Sequence, residues 1–530
     1  MANLTSVNIN GALIRKEGTE SLSASSGNEV INGTAVALGS TTLNYITGCY
    51  VGSGKSVIIF QDEAGGYYGK PKSRVATTTG SSISLGTVDT VDTSSDADRG
   101  ISIAYDTVNS KVFALYGTNN NHKHTMIVGT VSGTNVSWGT AATAESGSTP
   151  NAGAHQPHAV VWVGGIGGDT TNRLVGAYED QLSNPTARVF TISGTTPTVH
   201  AKADFGGSNP NNISLAYVGG GKIVAAWLDN SGNNPSLHIR PGTVTGGGTN
   251  TIQWGVKTDI NISMAATRDT CMTNVVYDQS SGKILVFYAQ ANNTKPRWIG
   301  GQLTSSGASL EFTYSGAAEF DTGGAAESFT ATYHSTSNKV LVYYKTNQQN
   351  NQTQARAFTY DSNSGNQVIY NISSASTWLT GDPNTANHAA SWYDSQNNKI
   401  LYVKTNVPRH PSSADPEGYV IASDLMAGIV TINLSTGNYF EIDLQSATAN
   451  ITQFTINESL SGTQAQSFFL KITQSSTARS IIWSSITNIK WPASTGPTIS
   501  TGNDAVDILK FTTYDQGTTW HGETIGQNFS

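Results

Sequence analysis

In TNVVYDQSSGKILVFY, Thr273 to Tyr288, apolar side chains alternate through Val275 and Tyr277. A polar Asp-Gln-Ser-Ser-Gly stretch follows, and Lys283 opens a second run, Ile284 to Tyr288, of branched and aromatic residues. Two such runs separated by turn-forming residues make a β-hairpin. Copies recur as GCYVGSGKSVIIF, SIAYDTVNSKVFALY, VVWVGGIGGDTTNRLVGAY, SLAYVGGGKIVAAW, ATYHSTSNKVLVYY and SWYDSQNNKILYVK. Their first-strand aromatics are Tyr50, Tyr105, Trp162, Tyr217, Tyr277, Tyr333 and Tyr393, about 55 to 60 residues apart. A basic residue opens each second strand: Lys55, Lys111, Arg173, Lys222, Lys283, Lys339 and Lys399. Five positions later stands Phe60, Tyr116, Tyr178, Trp227, Tyr288 or Tyr344, and in the last copy Lys404.

A repeat of this length holding four short strands predicts a β-propeller, because a single twisted four-stranded sheet buries its faces only against neighbours. Outer strands are visible as MIVGTVSG followed by VSWGT, and as ISLGT and IQWGV. A further copy, Val36 to Ser40 (VALGS), precedes the first hairpin, while the seventh blade ends at GYVIASDL without a fourth strand. The expectation is an all-β, seven-bladed propeller closed by the N-terminal strand at 36–40, which removes open sheet edges.

Composition narrows the function classes. Charged residues are 12% of the chain and glycines number 55, which fits turn-rich β structure. A net charge of −7 with no Lys/Arg cluster argues against a nucleic-acid partner. No uncharged stretch has the ~20 residues a membrane span needs, so no membrane insertion is expected. The N-terminus lacks the apolar run of a signal peptide, which predicts a chain made in a cytoplasm. Cys49 and Cys271 sit at different offsets in their repeats, which argues against a repeat-related disulfide.

In chain order, residues 1–32 read as an arm with an irregular connector, 33–425 as the propeller, and 426–530 as a β-sandwich or jelly-roll module. That last module rests on the alternating runs GIVTINLSTG, YFEIDLQ, ITQFTINES, SFFLKITQ and SIIWSS and the closing ILKFTTYDQGTTWHGE. NLSTGNYFEIDL, FFLKITQ and the final IKWPASTGPTISTGNDAVDILKFTTYDQGTTWHGETIGQNFS carry Trp491, Pro492, Pro497, Thr501, Gly502, Asp504 to Leu509, Asp515, Gly517, Trp520 and the ending Gly526 to Ser530. On these residues the module resembles the terminal module of structural and tail-appendage, fibre-like virion proteins of tailed bacteriophages of aquatic bacteria. The resemblance implies a virion location after assembly in a host cytoplasm, other virion structural proteins as partners, and a homo-oligomer such as a trimer.

The motifs with chemical associations read as structural. GSGKS, Gly52 to Ser56, has Cys49 where a phosphate-binding loop needs glycine, and it occupies the same hairpin turn as SSGK and GGGK in sister copies. TYDQGTTW, Thr513 to Trp520, fits an Asp-box, in which the carboxylate caps backbone N–H groups. His122 and His124, two apart in NNNHKHT, are weak metal candidates. His155 and His158 flank Pro157 without an accompanying ligand pattern. No catalytic constellation and no cofactor is expected.

What remains is surface. The connections after the second strands, QDEAGGYYGK, GTNNNHKH, EDQLSNPT, LDNSGNNP, QANNTKP, TNQQNNQTQ and TNVPRHPSSADPEG, differ while the strands beneath them are alike. Loops on a rigid scaffold are free to vary and bind. Candidate ligand residues on this face are Asp62, Tyr67, Tyr68, Asn120, Asn121, Glu179, Asp180, Asp229, Asn292, Trp298 and Asn350, of amide, acid and aromatic types suited to sugars. Together these point to a non-enzymatic bacteriophage virion structural protein, a tail fibre or appendage component contacting a host surface glycan or receptor. The alternatives are a passive capsid or tail decoration protein and an appendage glycan hydrolase using acids such as Asp62 and Glu179.

Overall fold

The computed structural model describes residues 6–9, 12–15, 19–22, 29–32, 35–39, 43–62, 69–80, 82–118, 123–145, 158–166, 169–207, 210–229, 236–246, 248–260, 273–288, 296–315, 318–321, 326–346, 353–361, 368–372, 376–379, 389–405, 418–426, 429–434, 438–444, 451, 453–457, 465–474, 479–483, 486 and 488–529. The chain forms two compact units, residues 30–424 and residues 1–29 with 425–530.

The larger unit is a seven-bladed β-propeller. Thr273–Asp278 pairs with Lys283–Tyr288 in the expected register, Tyr277 opposite Ile284 and Asp278 opposite Lys283. The turn forms because the Asp278 carboxylate accepts the N–H groups of Ser280 (3.0 Å) and Ser281 (3.3 Å), and Gly282 supplies the positive φ of 70°. Asp106 and Asp394 repeat this cap in their own hairpins. Second strands are flanked by a strand on each side and covered on both faces. That is why they read as unbroken apolar runs.

The innermost strands of blades 1 to 7 are Leu43–Gly52, Ala97–Asp106, Ala159–Trp162, Pro210–Gly219, Thr273–Asp278, Ala326–His334 and Ala389–Asp394. Each contacts the next, and the seventh contacts the first. Small polar side chains stitch them: Ser102 Oγ accepts Val160 N–H and Ser214 Oγ accepts Val275 N–H, both at 3.0 Å. Asn274 Oδ1 accepts Ala331 N–H at 3.1 Å. Apolar clusters fill the spaces between blades, as where Trp392, Leu401 and Val403 of blade 7 meet Ile58, Phe60 and Ala76 of blade 1.

Blade 7 contributes Ala389–Asp394, Lys399–Thr405 and Gly418–Met426, and Glu29–Asn32 lies beyond Gly418–Met426 as the fourth strand. Residues 29–32 therefore leave the expected arm for the sheet. Val36–Ala37, expected as that fourth strand, pairs instead as Tyr419↔Ala37 and Val420↔Val36. This is the place that Asp89–Thr90 takes in blade 1. The reason is Leu38, whose N–H bonds Gly418 O and whose side chain is buried, as Val91 does on Pro71 O.

In the smaller unit a six-stranded sheet runs in the order Thr19–Leu22, Tyr439–Asp443, Gln466–Thr473, Val506–Thr513, Trp520–Phe529, Ile489–Lys490, and a second sheet pairs Ile429–Asn433 with Gln453–Asn457. Both sheets share one core, including Val430, Phe454, Phe440, Phe468 and Phe511. Three pairs in the first sheet and the single pair in the second are parallel, unlike the antiparallel pairing of the expected jelly-roll. In the Asp-box turn, Asp515 Oδ1 accepts Thr519 N–H at 2.8 Å and Trp520 is buried.

Candidate functional site

Tyr67, Tyr68, Asn120, Asn121, His122, Asn292 and Asn350 lie outside the described residues. The other predicted ligand residues are placed differently from an exposed loop face. Asp62 ends the second strand of blade 1, half-buried and opposite Leu43 and Lys70. Glu179 is buried at the end of Arg173–Glu179, the second strand of blade 3. Asp180 is spent on its turn: Oδ1 accepts the N–H groups of Leu182 and Asn184, and Oδ2 accepts Lys202 Nζ at 2.5 Å. Burial pushes its carboxyl up, but Lys202 and the turn N–H groups outweigh burial and hold it below the usual range. Trp298 is a core residue, edge-on to Phe358 and Tyr370, so it cannot stack on a sugar. It stands at the start of the third strand, just after the polar connection QANNTKP, which is why it reads as loop-facing.

The aromatics five positions after the basic residue point into the spaces between blades, and two of them anchor matching polar trios. Between blades 2 and 3, Tyr178 OH accepts Arg188 Nε–H at 2.6 Å and donates to Glu145 Oε2 at 3.1 Å. Arg188 Nη2 donates to the same Glu145 oxygen at 2.6 Å. Between blades 5 and 6, Tyr344 OH accepts Arg356 Nε–H at 2.7 Å and donates to Asp321 Oδ2, and Arg356 Nη2 lies 3.3 Å from that oxygen. Both arginine side chains are 17% exposed, while both phenols are buried. Burial opposes the charge of Arg188, but Glu145 and Tyr178 hold it above its ordinary value. Burial, with the neighbouring acids, pushes both tyrosines well above the usual range.

A local rule decides where the trio forms. Each acid follows a buried residue at the end of the preceding blade: Ala144 before Glu145 and Phe320 before Asp321. Where glycine follows instead, as in Leu38-Gly39 and Phe205-Gly206, the arginine turns to backbone. Arg74 donates to Leu38 O (2.6 Å) and Gly86 O (2.9 Å), and Arg240 to Phe205 O (2.9 Å) and Gly255 O (2.8 Å). Between blades 1 and 2, Asp92 takes Tyr116 OH at 2.8 Å, but Ile127 stands where the arginine would be. At the remaining predicted acid, Asp229 Oδ2 is 3.5 Å from His238 Nε2, and His238 Nδ1 lies 2.6 Å from Asp259 on the ring face of Trp227.

His124, the described member of the predicted His122/His124 pair, meets a different histidine. Its Nδ1 lies 2.9 Å from His158 Nε2, both rings buried, and its ring stacks on Tyr178 at 4.3 Å. Strand pairing turns it inward between blades, where the sequence reads as a solvated loop. Among the described residues no group of three His, Cys, Asp or Glu side chains could hold a metal ion. The trio residues were not among the sequence candidates. Aligning the third strands would have exposed the recurring Arg74, Arg188, Arg240 and Arg356, but the acids sit at irregular distances, 33 residues before Tyr178 and 23 before Tyr344.

No family model matches the chain, and no curated protein matches it. Among solved structures, AofleA from Arthrobotrys oligospora is similar at 13% identity and a TM-score of 0.39, over 69% of this chain and 96% of that one. A mutant of the Aleuria aurantia lectin AAL in complex with Fucα1-6GlcNAc is similar at 12% identity and a TM-score of 0.36, over 63% of this chain and 97% of that one. The expectation of a bacteriophage virion structural protein, in its fibre, decoration or hydrolase form, is overturned: the matched structures are fungal, and one is a lectin.

Proposed function

We propose that this chain is a non-enzymatic carbohydrate-binding propeller whose glycan sites are the Arg–acid–Tyr trios between blades 2 and 3 and between blades 5 and 6. The observation that carries the reading is their repetition. Arg74 and Arg240 satisfy themselves on backbone carbonyls, so packing alone does not require an acid at these interfaces. Yet Arg188 and Arg356 each meet a carboxylate and a phenol in the same arrangement. A fixed guanidinium beside a fixed carboxylate suits vicinal hydroxyls, which accept from the one and donate to the other. Each trio holds one carboxylate already engaged by arginine and tyrosine, whereas a glycosidase needs two flanking the scissile bond. Two sites on one ring also let weak contacts add by avidity.

The finer fold follows the same reading. The ring is closed by the N-terminal strands, supported by the Tyr419↔Ala37 and Val420↔Val36 pairs. The C-terminal unit is a two-sheet sandwich, supported by the core its sheets share.

The test is a printed glycan array probed with the wild-type chain and with Arg188→Ala/Arg356→Ala. Binding by the wild type, its loss in the double variant, and no released reducing sugar are expected. Binding to no glycan, binding unchanged in the variant, or sugar release would overturn the reading.

A further inference from the structure

The two trios sit in different surroundings. Between blades 5 and 6, Tyr344 packs against apolar rings, Phe320 edge-on at 5.2 Å and Phe329 stacked at 6.2 Å. Between blades 2 and 3, Tyr178 packs against His124, whose ring is bonded to His158. His158 and Phe329 hold the same place in the repeat, four residues before the first-strand aromatics Trp162 and Tyr333. The other ring comes from the preceding blade in both cases, His124 in one and Phe320 in the other. One site therefore has a titratable pair in the place where its twin has two phenyl rings.

We propose that the His124–His158 pair makes the blade 2–3 site acid-sensitive: protonating the pair loosens this interface and releases glycan, while the blade 5–6 site keeps its ligand. A bond between two imidazoles needs a lone pair on one of the facing nitrogens. A proton added there sets two N–H groups head to head at 2.9 Å. The groups facing the pair are Tyr178 on blade 3, Glu145 opposite His124 on the ladder, Glu179 and Asp180 at the end of the second strand, Arg188 beneath Tyr178, and Lys202 on Asp180. Burial lowers the His124 imidazole to about 4, outweighing the Glu179 backbone and the Glu145 and Asp180 charges, which favour the proton. A parted imidazole titrates near 6.5, so it binds the proton first as pH falls. Acidification from about 6.5 towards 4 thus favours the parted interface. Glu145, shared by the His124 ladder and the trio, transmits the change to Arg188.

The pH response of the pair stands on its own, and only the release of ligand rests on the carbohydrate reading, so two measurements separate them. Hydrogen exchange on the full chain compares Arg173–Glu179 with Lys339–Thr346 at about pH 7 and about pH 4.5, corrected for intrinsic rates. Protection of the first stretch is expected to fall roughly fifty-fold and that of the second to stay flat. Equal loss in both, or loss in neither, overturns the proposal. This comparison needs no variant, and His124→Phe/His158→Phe, if it folds, should abolish the difference. On the same glycan array, Arg356→Ala leaves only the blade 2–3 site and should lose binding on acidification at least tenfold, whereas Arg188→Ala should not. Acid-resistant binding by Arg356→Ala overturns the release. No binding at neutral pH by either variant or the wild type overturns the carbohydrate reading, and hydrogen exchange still decides the switch.

Discussion

Glu145→Gln separates a glycan site from a merely structural ion pair. Glu145 Oε2 accepts Arg188 Nη2–H at 2.6 Å and Tyr178 OH at 3.1 Å, with the acid 10% and the arginine 17% exposed. Glutamine keeps the shape and one acceptor oxygen but removes the charge. A hydrogen bond to a charged group contributes about 1.5–3 kcal/mol, and breaking a fully buried pair costs about 3–5 kcal/mol. The pair is only partly buried, and the amide still accepts, so the lower end applies, about 2 kcal/mol. If the same carboxylate accepts sugar hydroxyls, a loss of about 2 kcal/mol lowers affinity at this site roughly thirty-fold. Titration calorimetry with a glycan chosen from the array should then show stoichiometry falling from two to one. Asp321→Asn should do the same at the other interface. A variant that loses about 2 kcal/mol in urea unfolding yet binds with unchanged stoichiometry and affinity would refute the reasoning, because the trio would then serve packing alone.

Gly39→Asp with Phe60→Tyr should build a third trio: Gly39 follows the buried Leu38 beside Arg74, a Cβ there meets nothing within 4 Å, and Phe60 holds the place of Tyr344. The expected stoichiometry is three, and two would show that the local rule is incomplete. Asp278→Ala should destabilise the propeller by about 3 kcal/mol in urea unfolding. The buried carboxylate accepts Ser280 N–H, Ser281 N–H and Tyr370 OH, and these donors lose their partner; a change near zero would count against the capped turn. Tyr116, Tyr178, Tyr344 and Tyr370 are all held above the ordinary phenol range by burial first. Their stabilising effect is present below pH about 10 and lost above it, by up to about 1.4 kcal/mol per tyrosine per pH unit, since the unfolded chain ionises there first. Urea midpoints followed by phenolate absorbance would check this, and an unchanged midpoint across that range would reject it.

The hairpin at Thr273–Tyr288, its turn and the number of blades were legible because each depends on residues close in sequence. Alternation sets which face is buried, Asp278 and Gly282 set the turn, and a repeating length sets how many copies pack side by side. The recurring aromatic after the basic residue was also visible, but not the acid its hydroxyl meets. Glu145 and Asp321 come from the preceding blade at unequal distances, so no spacing marks them. His124 illustrates the same limit: it meets a histidine 34 residues away, because strand pairing turns the ring inward between blades. Trp298 was misplaced for the converse reason, a core position just after the polar connection QANNTKP. The amino-acid sequence by itself determined the repeating β unit, since hairpin register is a local matter of alternation and turn chemistry. Only the tertiary structure decided which blades share a trio and which N-terminal residues join blade 7, since side chains that meet across a packed interface are chosen by geometry.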